Sequence, residues 1–201
     1  MMTLDEIREL PIDQLAQPGA HLYLWTTQRH LWDARNIAEA WGWHVLKVLT
    51  WCKEPMGLGT GGTFTNTTEF ILYCRRPVDP FLRAACKAAG WNQNDLDRQV
   101  RGKITRLSKR WLDGDCYPTP ADWDRLREVL PRLADLPDLA PDPIRTDSTW
   151  WQWKRGPHST KPAAFLDLVE RVSPGPYVEL FARQPRLGWD SWGWGYEQVA
   201  T

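Results

Sequence analysis

The sequence has no surplus of either charge. Its 25 Lys and Arg balance 25 Asp and Glu, a formal net charge of +0 with histidine neutral, so bulk electrostatics do not announce a polyanionic partner. Cysteine is scarce. Cys52, Cys74, Cys86 and Cys116 stand apart with no CxxC pair, which argues against a zinc site or a disulfide framework and fits a reducing compartment. No long apolar run and no signal peptide occur, which implies a soluble, cytoplasmic protein. Internal repeats are missing too. What is abundant is tryptophan, with 14 in 201 residues. Most are expected in packing, but aromatic faces also stack on bases and on cofactors.

Local patterns divide the chain into elements. Thr3-Leu4-Asp5-Glu6 is a capping-box pattern and predicts a short helix. His21 to Thr26 and Trp43 to Cys52 read as strands, with a helix from His30 to Trp41 between them, ended by Gly42. A glycine-rich loop, Gly57 to Gly62, precedes a strand from Thr67 to Arg75. A phosphate cradle needs a helix after such a loop. A strand follows here, so a mobile loop at the rim of a site is the better reading.

From Pro77 the texture changes to helices without strands: Asp79 to Ala89, Asn94 to Val100 capped by Asn92 or Asn94, Lys103 to Leu112, and Thr119 to Leu130. Leu130 to Asp147 is rich in proline and aspartate and reads as a linker. A strand from Ser148 to Lys154 leads into His158 to Arg183. There Thr160 or Ser159 is the expected N-cap and Pro162 falls in the first helical turn. Phe165, Leu168, Val169 and Val172 repeat at helical spacing, and Tyr177 to Phe181 is a short strand. Gly188 to Tyr196 reads as a loop and a last short strand.

The plan that follows is α/β: a core of residues 1–76 and 148–201 with a helical insert and linker at 77–147. Strands alternating with helices predict a largely parallel sheet. Ligands in such sheets sit at the carboxyl ends of strands. That places Trp51-Cys52-Lys53, the glycine loop and Phe181-Ala182-Arg183 on one rim.

The insert resembles a repressor-type helix-turn-helix. Ala88-Ala89-Gly90 leads to Gln93 and Asp95-Leu96; Ile104, Leu107, Arg110-Trp111-Leu112 and Gly114 follow like a recognition helix and its exit. Arg98, Arg101, Lys103, Arg106, Lys109 and Arg110 crowd a stretch with no acid. Such a density on one helix contacts phosphate by charge, while one or two residues reach base edges. Arg106 and Lys109 are the leading expected DNA contacts, with Lys103 and Arg110 beside them.

Four strings in order carry a wider resemblance. They are Thr3 to Ile7 with Leu10-Pro11; His21 to Thr27; Trp51-Cys52-Lys53 with Gly57-Leu58-Gly59 and Asn66 to Glu69; and His158 to Pro162 through Glu179 to Arg183, then Gly188-Trp189-Asp190. On these the core resembles the MT-A family of adenine-N6 methyltransferases, which methylate adenine from S-adenosylmethionine. The resemblance implies a Rossmann-like methyltransferase sheet, N-terminally incomplete, with the helical insertion outside it. It implies that Lys161 pairs with the cofactor carboxylate, with Thr160 beside it, and that Phe181 and Arg183 line the adenosyl part. It implies that Lys53 lies at the rim toward nucleic acid and that Glu69 orients that rim. No metal is implied.

The family's catalytic signature, Asp-Pro-Pro-Trp, holds the target amine and stacks on the base. It occurs nowhere in these 201 residues, so no catalytic residue is assigned. Gly193-Trp194-Gly195 stands where the family has Gly-Asn. The expectation is a methyl transfer to adenine in DNA, impaired in this chain by itself. The alternative is a non-catalytic partner or regulator that binds nucleic acid, as a homo- or hetero-oligomer.

Overall fold

The computed structural model describes residues 2–54, 64–139, 148–156, 160–173 and 175–192. The glycine loop Gly57 to Gly62, the linker from residue 140, His158, Ser159 and Gly193-Trp194-Gly195 lie outside them. The chain divides into two compact units, Met1–Thr50 with Glu69–Pro141, and Trp51–Thr68 with Asp142–Thr201.

The first unit opens with α1 (Leu4–Arg8), whose capping box is formed as the sequence predicts: Thr3 accepts from the Glu6 backbone and Glu6 returns to Thr3. Strand β1 (His21–Thr26) pairs antiparallel with β3 (Thr68–Arg75), in register from His21 opposite Arg75 to Thr26 opposite Phe70. Between them run α2 (Leu31–Ala40) and β2 (His44–Glu54). The hydrogen-bonding order of the four-stranded sheet is β1-β3-β2-β4, where β4 is Trp150–Lys154. The expectation of a largely parallel sheet is therefore corrected. The helical crossover from β1 to β2 skips a strand, and β3 fills the gap from the opposite direction.

The helical stretch folds on its own core. Helix α3 (Asp79–Ala89) ends at Gly90 with φ 69, the left-handed position that glycine takes without strain. α4 (Gln93–Arg101) starts at Asn92, whose side chain accepts from Asn94 and Asp95. α5 (Leu107–Asp113) and α6 (Pro120–Val129) complete the set. Leu82, Leu96, Trp111, Trp123 and Leu126 meet inside it, each at most 1% exposed. The stretch after α6 is not plain linker. Leu130 caps a single turn of 3-10 helix that ends in Leu133, Leu139 follows, and all three are buried in the same core. Apolar spacing there outweighs the proline and aspartate content. Arg75, 2% exposed, lays its guanidinium 3.8 Å from the centre of the Tyr117 ring.

In the second unit the end of β2 lies beside β4. Trp51 Nε1 donates to the Trp153 carbonyl at 3.1 Å, and the Arg155 amide donates to Glu54 at 2.9 Å. Helix α7 (Ala163–Val172) carries Phe165, Leu168 and Val169 inward, as their spacing predicts. Its N-cap is Pro162 at ψ 131, with no side-chain cap bond. This corrects the expected cap at Thr160; Pro162 stands just before the helix rather than in its first turn. Strands β5 (Tyr177–Leu180) and β6 (Trp189–Trp192) pair in parallel, Tyr177 opposite Trp189 and Leu180 opposite Trp192.

Candidate functional site

β5 and β6 begin beside the C-terminal half of α7. Tyr177 Oη donates to the Ser173 carbonyl at 2.7 Å, and the Tyr177 and Trp189 rings stack at 4.8 Å. Glu170 gathers the rest. It accepts from Trp189 Nε1 at 2.6 Å and from Arg186 at 2.7 and 2.9 Å, and Arg186 also reaches Asp167 at 2.6 Å. Hydrogen bonds from Arg186 and then Trp189 hold the Glu170 carboxyl down at about 2, against an ordinary 4.5. A depressed carboxyl contributes stability above its unfolded value and loses it as pH falls. Glu170→Gln is expected to lower the melting temperature at neutral pH and to flatten its fall between about pH 4.5 and 2, read by near-ultraviolet circular dichroism of the tryptophans.

The two parallel strands run from this anchor to a common carboxyl edge. There Phe181 takes φ 62, a left-handed conformation rare for a bulky side chain. Its ring is 49% exposed and lies 6.0 Å from Trp192, itself 55% exposed. The Ala182 amide donates to the Trp192 carbonyl at 3.1 Å, which fixes the turn. Arg183 follows, exposed. One step back along the strands, Glu179 stands opposite Ser191. Burial raises the Glu179 carboxyl, while Arg186 opposes that rise. Ser191 is 2% exposed, and its hydroxyl has no hydrogen-bond partner among the described residues.

Thr160 and Lys161 precede α7 and are half-buried. Lys53, near the end of β2, sends its ammonium 5.4 Å from the centre of the Trp51 ring, and its amide donates to the Thr67 carbonyl at 2.9 Å. Glu69 is the second residue of β3 and belongs to the first unit, whereas Lys53 belongs to the second. Phe181 and Trp192 are thus brought together at one strand edge. Trp192 and Ser191 carry no motif signal, and strand alternation in the GWDSW tail is the sequence clue to them; Glu179 opens the Glu179 to Arg183 string.

The basic stretch is not one helix. Arg98 and Arg101 close α4, Lys103 and Arg106 lie in the turn, and Lys109 and Arg110 sit on α5. The helix expected from Lys103 starts later because Asp97, 1% exposed, takes over the turn. Its carboxylate accepts from the backbone of Thr105 and Arg106 at 2.7 Å and of Ser108 at 3.2 Å, and from the Ser108 and Thr105 hydroxyls at 2.7 and 3.0 Å. Burial by itself pushes the Asp97 carboxyl up; bonds from Ser108 and Thr105 outweigh it and bring it down to about 2. Asp97 went unmarked in the sequence, where an acid beside Leu96 reads as surface.

Among the described residues no group of three His, Cys, Asp or Glu is placed to hold a metal. No described helix is long and apolar enough to cross a membrane. A mixed α/β chain of this build, with parallel strands meeting at an aromatic carboxyl edge, is consistent with a Rossmann-like methyltransferase fold. The family model MT-A70 matches residues 1–76. Type II methyltransferase M.MunI from Mycoplasma sp is 23% identical over 193 residues, covering 96% of this chain and 57% of the relative. N(6)-adenine-specific methyltransferase METTL4 from Homo sapiens is 25% identical over 204 residues, covering 94% of this chain and 31% of the relative. The chain is thus similar to the MT-A70 family over its first 76 residues, and to these two methyltransferases over most of its length. It spans little more than half the length of the first relative and a third of the second.

Proposed function

We propose that this chain supplies the cofactor-holding part of an S-adenosylmethionine-dependent methyltransferase that modifies the N6 amine of adenine in DNA. The observation that carries this reading is Phe181, an exposed aromatic held at φ 62 where two parallel strands end. Backbone strain persists where its surroundings enforce it, and it clusters at ligand clamps. The carboxyl edge of parallel strands is where such sheets take their ligands. Phe181 offers its face to the adenine ring of the cofactor, with Arg183 beside it. The Lys161 ammonium pairs with the cofactor carboxylate, and Thr160 adds a hydroxyl. The unpartnered Ser191 hydroxyl and half-buried Glu179 suit a polar ligand, so the donor set fits. When bound, the cofactor supplies an activated methyl group. The protein's part is positioning, which converts an encounter into a near-attack geometry. Lys53, in the same unit as that edge, would contact the nucleic acid.

A second reading is a nucleic-acid-binding partner without turnover of its own. It is favoured by the lack of Asp-Pro-Pro-Trp within the 201 residues. Calorimetric titration with S-adenosylmethionine and transfer of tritiated methyl to adenine-containing DNA separate the readings. The cofactor is expected to bind, and Lys161→Ala to weaken it by about tenfold, ~1.4 kcal/mol. Absence of binding heat would sink the cofactor reading. Transfer by this chain unaided is expected to be weak, and robust turnover would remove the second reading.

A further inference from the structure

We propose that the turn between α4 and α5, with the first part of α5, grips the phosphate backbone of duplex DNA through Lys103, Arg106 and Arg110, and that Asp97 presets that grip. This rests on the proposed DNA substrate and adds a surface separate from the cofactor edge.

The basic stretch sorts into two kinds of cation. Arg98 pairs with Asp95 at 3.3 Å, Arg101 with Asp122 at 2.6 Å, and Lys109 with Asp113. Those charges are already spoken for within the helical stretch. Lys103, Arg106 and Arg110 have no acid within ion-pair reach among the described residues, and all are exposed. Arg106 is the N-cap of α5 and Arg110 lies within that helix. Lys103 precedes them in the turn, with Ile104 between at 49% exposure.

The backbone shows that this side chain matters. Arg106 sits at φ 63, ψ 5. Left-handed geometry is strained for a residue with a Cβ. At the end of α4 the same geometry, φ 70, is given to Gly102. An arginine is thus kept where a glycine would be easier, and Asp97 enforces it by holding the Thr105, Arg106 and Ser108 amides. Those amides are consumed, and α5 has only 7 residues, so an anion must meet side chains rather than a helix end. A lipid surface is disfavoured because α5 turns Trp111 into the core, and Ile104 in the turn before it is the exposed large apolar residue of this stretch. A duplex, with one negative charge per about 1.7 Å of axis, matches cations spread along a rigid turn.

The test is fluorescence anisotropy of the full chain with a labelled duplex, without S-adenosylmethionine, across salt concentrations. Engaging phosphate through Lys103, Arg106 and Arg110 predicts a slope of about −2.7 in log affinity against log salt, roughly a 40-fold loss between about 50 and 200 mM. Lys103→Gln, Arg110→Gln and Arg106→Gly, the last keeping the turn's backbone, are each expected to reduce the slope by about 0.9. Lys109→Gln is expected to leave it unchanged. Circular dichroism of each variant checks that the helices remain. The proposal is overturned if the duplex does not bind at low salt, if the three variants keep the parent slope, or if Lys109→Gln matches them. A preference for single-stranded RNA with those slopes unchanged overturns it as well. Since no cofactor is present, failure here leaves the cofactor reading standing, and a failed cofactor titration leaves this one standing.

Discussion

Trp123→Ala is expected to destabilise the helical stretch by about 3–5 kcal/mol, the usual range for emptying a buried tryptophan site. Trp123 is 1% exposed on α6 and packs with Trp111, Leu126 and Leu130. It also donates from Nε1 to the Pro137 carbonyl at 2.9 Å, so it fastens the chain after α6 onto the helices. The substitution removes ring contacts and strands that carbonyl together. Trp123→Phe keeps most of the volume and loses the donor, and should cost about 1 kcal/mol of hydrogen bonding plus a smaller void. Urea unfolding followed by far-ultraviolet circular dichroism reads both. Equal losses for the two variants would show that the hydrogen bond, not the cavity, dominates.

Asp97→Ala is expected to cost about 3 kcal/mol, because buried amides and hydroxyls that face one carboxylate lose it at once. Asp97→Asn separates charge from shape. Its amide would set a donor against the donors of Thr105, Arg106 and Ser108, so most of the loss should persist. The pH dependence differs more sharply. The folded carboxyl sits at about 2, below its ordinary 3.8. The stabilisation is therefore present above pH ~4 and drains away as pH falls toward 2. The parent's helical signal should weaken across that window, while Asp97→Asn, with nothing to titrate there, should not share that component. A matching acid profile in both proteins would assign the acid sensitivity elsewhere.

How much of this was legible beforehand depends on how local the cause is. Thr3 with Glu6, Asn92 with Asp95, Thr119 before Pro120, and the glycines at 90 and 114 act within a few residues, and they set helix ends where the sequence places them. The late start of α5 was not legible. It depends on Asp97 reaching residues 8 to 11 positions later, a contact that propensity cannot see. Composition misled at Leu130 to Leu139, where proline and aspartate mark a loop but leucines at core positions bury it. The antiparallel β1–β3 pair was hidden because alternation of strand and helix does not say which strands become neighbours. At the candidate site, family resemblance pointed to Lys161, Phe181 and Arg183 as residue types. The supporting partners, Trp192, Glu170 with Arg186, and Ser191 opposite Glu179, came only with the register.

Arg106 and Phe181 are the described non-glycine residues with positive φ, and this has a practical edge for anyone engineering the chain. A redesign guided by thermal stability would mark both positions for glycine, for a gain of about 1 kcal/mol each. Screens that reward melting temperature would then strip away an exposed cation and an exposed aromatic, and call the product improved. Any hardened version of this protein is best made with those two positions held fixed and the gains sought in surface helix positions instead.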